Sequence, residues 1–216
     1  AEAANHAKSA LLSNMSHELR TPLHAIIAFT KLAQQKIGPG ADKVRHYLTR
    51  IHTSSERLLI LLNDLLDLSK LESGKTVYAW DRVELRGVVQ EIIAEYDALA
   101  TEKGVHVILS GDALHIIEGD ALRLGQVVRN LLSNALKFTA RDSIVSIALS
   151  NQPARFDDGR PHMPAVLLTV RDDGIGIPAA HRHRIFEPFT DVQPAKHHTS
   201  AGPDSAGLGL FIARGL

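Results

Sequence analysis

The strongest constraint in this sequence is a pair of long apolar seams separated by a helix-stopping tripeptide. Over residues 1 to about 37, Leu12, Met15, Leu19, Leu23 and Ile26 recur at three- and four-residue steps, the spacing that lines one face of an α-helix. Gly38-Pro39-Gly40 then stops any helix. A second seam begins near Asp42, where Val44, Leu48, Ile51, Ser55, Leu58, Leu62 and Leu65 alternate steps of four and three. Two such helices joined by a short loop make an α-helical hairpin. A lone hairpin cannot cover both seams together with Leu59, Leu61, Leu66 and Leu68. The expected solution is a dimeric four-helix bundle, in which two hairpins bury one another's stripes. Packing onto the rest of its own chain is the alternative.

Ser73-Gly74-Lys75 ends the hairpin, and the texture then changes. Short β-like runs occur at Val105 to Ser110, His115 to Glu118, Ser143 to Ser150 and Ala165 to Arg171, with helical stretches at Arg86 to Lys103 and Asp120 to Phe138. Mixed strands and helices after a helical hairpin indicate a separate α+β domain. The expected division is a helical domain over 1–73 and an α+β domain over 76–216. Residues 151–164, with three prolines and Asp157-Asp158-Gly159, read as a surface hairpin loop. The stretch from about Thr190 to Ala206 is rich in Ser, His, Pro and Gly and has the composition of a mobile loop.

Charge and cysteine usage narrow the function classes. Lys plus Arg equals Asp plus Glu, 24 against 24, so no overall field draws the chain to nucleic acid or anionic lipid. With no cysteine, disulfides, thiolate zinc sites and cysteine nucleophiles are excluded, and a reducing, cytoplasmic setting is the expectation. No apolar run reaches the ~20 residues of a membrane span. Leu58 to Leu68 is leucine-rich but holds Asn63, Asp64 and Asp67. The first residue is Ala, so the sequence reads as a fragment, with membrane attachment only through regions outside it.

On the first helix, His17 lies off the apolar seam, with Thr21 and His24 on the same face. Glu18 adjoins it and can accept a hydrogen bond from one ring nitrogen, fixing the tautomer and leaving the other nitrogen nucleophilic. Pro22 removes a backbone donor, so a bend is expected one turn back, near Glu18. An exposed helical histidine on its own is ordinary. The pair His197 and His198 lacks a third metal ligand.

In the second half, Asn130, Asn134 and Lys137 share one helical face, opposite an expected buried stripe of Leu124, Val128, Leu131, Ala135 and Phe138. Two carboxamides and an ammonium suit a magnesium–triphosphate group, although a solvated polar face has the same pattern. Downstream, Asp172-Asp173-Gly174-Ile175-Gly176 ends a β-like run with an acidic pair and a Gly-x-Gly turn, which lets backbone approach a ligand closely. It is neither a dinucleotide nor a P-loop fingerprint. Finally Gly207-Leu208-Gly209-Leu210 opens an apolar helical start, where backbone amides favour phosphate.

The run Asn14-Met15-Ser16-His17-Glu18-Leu19-Arg20-Thr21-Pro22-Leu23 closely resembles the H-box of sensor histidine kinases of two-component systems, particularly the hybrid type. Asn130/Asn134 resembles that family's N-box, the Asp172 turn its G1 box, Ile185 to Phe189 its F-box and Gly207 to Leu210 its G2 box. The resemblance implies a dimerisation and phosphotransfer hairpin followed by a Bergerat-type ATP-binding α+β sandwich. It implies ATP and Mg2+ as cofactors, autophosphorylation of His17, Glu18 as acid/base partner and transfer to an aspartate of a response regulator. Thr21 would position water when the same protein dephosphorylates that partner. Asn134 would be the chief magnesium ligand, while Asn130 and Lys137 would contact phosphates. Asp172 would read adenine, Gly174 and Gly176 would shape the pocket, and Gly207, Leu208 and Gly209 would hold the triphosphate beneath a lid from about Phe189 to Ala206. Two departures stand out. Ser205 takes a position that is usually glycine, and the chain stops at Leu216, before the family's last strands. The expected domain is therefore truncated at its C-terminus. Alternatives are a degenerate or truncated kinase serving as a dimerisation and regulator-docking module, and a non-kinase ATPase like those of type II topoisomerases or MutL, which lack the upstream His-Glu hairpin.

Overall fold

The structure is a computed structural model of the 216-residue chain, and it describes residues 19–33, 41–74, 76–111, 116–154, 163–190 and 207–216. By packing, the chain divides into two units, one of Ala1–Gly74 with Arg184–Ile212 and one of Lys75–His183 with Ala213–Leu216.

In the first unit, helix α1 (19–33) and helix α2 (Ala41–Glu72) form the hairpin. The Phe29 ring stacks on Tyr47 with centroids 6.2 Å apart, and the Arg50 guanidinium lies 5.8 Å from the centre of the Phe29 ring. The two seams are set differently from the sequence reading. On α1 the face turned inward is Leu19, Pro22, Ile26, Phe29 and Ala33, whereas Leu23 is 46% exposed. On α2 it is Val44, Tyr47, Ile51, Ser54, Leu58, Leu61, Leu65 and Leu68, so Leu48, Ser55 and Leu62 point to solvent. Alternate positions of the expected seam are thus one residue off. The physical reason is that α2 has leucines on two adjoining faces, and the hairpin covers only one. Among the described residues no helix is long and apolar enough to cross a membrane.

Asp64 shares the covered face of α2 with Leu61, Leu65 and Leu68. Burial, and then the neighbouring Asp67, push its carboxyl up to about 6 from 3.8. The folded state thus holds this proton more tightly than the unfolded chain, so stability is lost as pH rises from about 4 through 6. Asp64→Asn is expected to raise Tm at pH 7.5, with the gain shrinking towards pH 4. Melting curves at the two pH values check it.

In the second unit the extended stretch 76–80 leads into β1 (Asp81–Glu84), and α3 (Leu85–Lys103) follows. Trp80 on this stretch is 71% exposed, with its ring 5.9 Å from that of Tyr78. Next come β2 (His106–Ser110), β3 (Ile116–Gly119), α4 (Ala121–Phe138), β4 (Ile144–Ala154) and β5 (Met163–Asp172). Strand β1 was not anticipated; it pairs antiparallel with β3. The main sheet has the order β2-β4-β5, parallel between β2 and β4 and antiparallel between β4 and β5. The ladder of β4 and β5 extends into the expected loop, with Pro153 opposite Pro164, and residues 155–162 lie outside the described residues.

Val145, Ile147 and Leu149 alternate along β4 and are almost wholly buried, because this central strand takes α3 and α4 on one face. Leu85, Val89 and Ile92 of α3 and Val128, Leu132, Ala135 and Leu136 of α4 complete the core. Burial of each such side chain contributes about 1.5–3 kcal/mol. Gly125 lets the two helices approach, and a bidentate Arg129–Glu95 pair at 2.7 and 2.8 Å ties them at the surface. This is the α+β sandwich expected. A 3-10 turn at Ala179–His181 and the short helix α5 (Gly209–Gly215) follow β5.

Candidate functional site

Helix α4 begins at Asp120, whose carboxylate accepts from Arg123 N at 3.1 Å and from Ala79 N at 2.9 Å. Its buried face is Gly125, Val128, Leu132, Ala135 and Leu136. This corrects the expected stripe, since Leu124, Leu131 and Phe138 are only half-buried on its flank. Leu131 and Leu132 adjoin in sequence, and packing into the common core selects the second. The correction leaves the opposite face unchanged. Asn130, Asn134 and Lys137 fall within an arc of about 60° on that face and are half-buried. The Lys137 ammonium lies 5.1 Å from the centre of the Phe138 ring.

The Asp172 turn is built onto the end of this helix. Asp172 Oδ1 accepts from Gly174 N at 2.9 Å, closing a turn of Asx type, and Ile175 N donates to Phe138 O at 3.3 Å. A Cβ on Gly174 would lie 2.6 Å from Asp172 Oδ1 and 2.7 Å from Phe138 O, so only glycine fits there. Gly176 has φ +69° but open space around it among the described residues, so its requirement is conformational rather than steric. Asp172 is exposed, and its Oδ2 accepts no hydrogen bond among the described residues. Sequence reading passed over Thr139, the residue after α4. Its hydroxyl is buried without a hydrogen-bond partner among the described residues.

The remaining expected site residues belong to the first unit. Phe189 N donates to Gly207 O at 3.1 Å, and a Cβ on Gly207, with φ +71°, would meet Thr190 O at 2.9 Å. The F-box end and the glycine run are therefore fastened to one another at the backbone. Leu208 is fully buried and Ile212 N donates to its carbonyl, so its side chain anchors the start of α5. Gly209 opens α5. Thr21 lies exposed on α1. His17, Glu18, the expected bend, His197, His198 and most of the expected lid lie outside the described residues.

The residues present fit a magnesium–nucleotide. Asn130 and Asn134 offer hard oxygen donors, Lys137 a cation and Asp172 a carboxylate for an amino group, and Gly174 lets the Asp172 turn seat directly on the end of α4.

Two family models match the chain, His Kinase A (phospho-acceptor) domain over residues 7–74 and Histidine kinase-, DNA gyrase B-, and HSP90-like ATPase over residues 119–216. The Signal transduction histidine-protein kinase BarA of Escherichia coli is 35% identical over the whole of this chain. The chain belongs to the sensor histidine kinases. It covers 22% of BarA, and 25% of the Non-motile and phage-resistance protein of Caulobacter vibrioides, to which it is 37% identical over its full length. Among solved structures, full-length ShkA in complex with AMPPNP is similar at a TM-score of 0.62 and 27% identity, over 95% of this chain and 40% of that one. This histidine kinase chain thus spans about a quarter or less of the curated relatives it matches.

Proposed function

We propose that this chain is the catalytic core of a sensor histidine kinase, which transfers the γ-phosphoryl group of ATP to its own His17 and from there to an aspartate of a response regulator. The observation that carries the reading is the seating of the Asp172 turn on Phe138 O, at the end of the helix that bears Asn130, Asn134 and Lys137. One rigid framework thereby holds a carboxylate suited to the adenine amino group and three groups suited to phosphate and magnesium. Asn134 would hold the magnesium, Asn130 and Lys137 the phosphates, and the backbone of Gly207 to Gly209 the triphosphate. Magnesium supplies charge neutralisation on the phosphate oxygens.

His17 attacks with the lone pair of one ring nitrogen while Glu18 holds the proton on the other. A P–N bond forms, the P–O bond to ADP breaks with its electron pair on the departing oxygen, and Glu18 takes up the imidazole proton as positive charge builds. Catalysis is mostly positioning and charge neutralisation. Thr21, four residues after His17 in sequence, would orient water for dephosphorylation of the partner. The domain limits proposed are 1–73 for phosphotransfer and 76–216 for nucleotide binding, with the connection at 71–75 as the hinge.

The leucines left exposed on α2, Leu48, Leu59, Leu62 and Leu66, with Leu23 and Ile27 on α1, support a homodimer through the hairpins. Light scattering at micromolar concentration checks it, and a monomer would count against it. The whole reading is tested with γ-labelled ATP and magnesium. Label that is labile in acid and stable in alkali is the expected result, and no label at all would sink the reading.

Asp172→Asn isolates the adenine contact, because asparagine keeps the oxygen that closes the turn on Gly174 N. Its amide would face the adenine amino group donor to donor. ATP affinity is expected to fall by about 1–3 kcal/mol, roughly five- to 150-fold, by calorimetric titration. Unchanged affinity would remove Asp172 from the site.

A further inference from the structure

The last turn of an α-helix leaves four carbonyls without intrahelical partners. In α4 these are Ala135, Leu136, Lys137 and Phe138. Thr139 N donates to Ala135 O at 3.0 Å and Ile175 N to Phe138 O at 3.3 Å. Leu136 O accepts from the Lys103 ammonium, at 2.9 Å. A lysine in a helix's last turn ordinarily folds back onto such carbonyls and the negative end of the dipole. Lys137 is that lysine, yet its ammonium rests over the Phe138 ring instead.

Lys103 is held where it is by backbone. Helix α3 ends at Gly104 with φ +65°, whose N–H donates to Ala100 O and Thr101 O. Gly104 O in turn accepts from Asp142 N at 2.8 Å, in the turn that follows α4. The ends of α3 and α4 are thus joined twice, once through the lysine and once through the main chain. Burial, and then the like charge of Lys137, lower the pKa of the Lys103 ammonium, so the two cations sense one another.

We propose that Lys103 is a positioning residue for the triphosphate: by occupying Leu136 O it denies Lys137 its own helix end and keeps that ammonium turned out towards the phosphates. The inference rests on the nucleotide reading above. Lys103 touches no phosphate; it acts through Lys137.

The test is a cycle of ATP affinities, measured by calorimetry with magnesium on the wild type, Lys103→Met, Lys137→Met and the double variant, with Lys103→Arg as the rescue. Lys103→Met is expected to weaken ATP by about five- to tenfold, Lys103→Arg by less than about twofold, and Lys103→Met to add no further loss to Lys137→Met. A residue that merely braces α3 against α4 would lose affinity equally in both backgrounds, and that additivity would overturn the inference. So would wild-type affinity in Lys103→Met. Circular dichroism checks folding, and the shorter, uncharged Lys103→Gln runs the same cycle if the methionine variant does not fold. A wild type that binds no ATP would overturn the nucleotide reading itself, which separates the two failures.

Discussion

His17→Gln is expected to abolish the acid-labile label while leaving ATP affinity as it is in the wild type. Glutamine is a good helix former, so the substitution is not expected to disturb α1, which follows it in sequence. Its carboxamide nitrogen has its lone pair delocalised into the carbonyl and is no nucleophile, so no P–N bond forms. The label should fall to background rather than to a fraction. Stability to alkali and lability to acid mark a phosphoramidate, because protonation of its nitrogen makes the imidazole a leaving group; serine and threonine esters behave the other way. The chain has twelve histidines, so the result carries weight. Label that survives in His17→Gln would move the acceptor to another of them. Nucleotide binding without label in the wild type would instead favour a docking module over an enzyme.

Gly174→Ala is expected to weaken ATP binding, through structure rather than chemistry. The added methyl would stand 2.7 Å from Phe138 O and 3.0 Å from Phe138 C, and neither can swing aside as a side chain tip would. The turn must lift from α4, which weakens both the Ile175 N–Phe138 O bond and the Gly174 N–Asp172 Oδ1 bond. Overpacking of this kind costs about 1–3 kcal/mol in stability. ATP affinity should drop by more than about tenfold, since the Asp172 carboxylate loses its orientation. Gly176→Ala is the control. Among the described residues nothing lies within 4 Å of its Cβ, so only the strain of φ +69° remains, and that is about 1 kcal/mol. Equal losses in the two variants would show that the close approach to Phe138 is not what matters.

The helices of the second unit were legible almost to the residue. Arg86 to Lys103 and Asp120 to Phe138 were expected, and α3 and α4 span Leu85–Lys103 and Ala121–Phe138, with Asp120 as the N-cap. Capping chemistry and Gly104 mark those ends locally, which is why sequence sufficed. Strand β1 was missed because Asp81-Arg82-Val83-Glu84 carries one apolar residue, and its pairing with β3 joins segments far apart in the chain. The buried faces of α2 and α4 were each misjudged by one residue at several positions. There, adjoining leucines such as Leu61 and Leu62 or Leu131 and Leu132 satisfy the same periodicity, and only the partner surface chooses between them. The site residues were found by motif, but their reasons were not. That Gly174 is fixed by a carbonyl 36 residues earlier in sequence, at Phe138, is a tertiary fact.

Trp80 gives the chain an optical property of its own. It is the sole tryptophan, it is largely in water, and it sits on the stretch that enters the second unit. Its emission is therefore already close to that of a solvated indole, and unfolding will shift its wavelength little, so melts of the variants need circular dichroism or calorimetry. The same exposure makes it a label-free local reporter. Quenching by iodide measures how open this stretch is, and a blue shift on adding ATP or a partner would record its being covered.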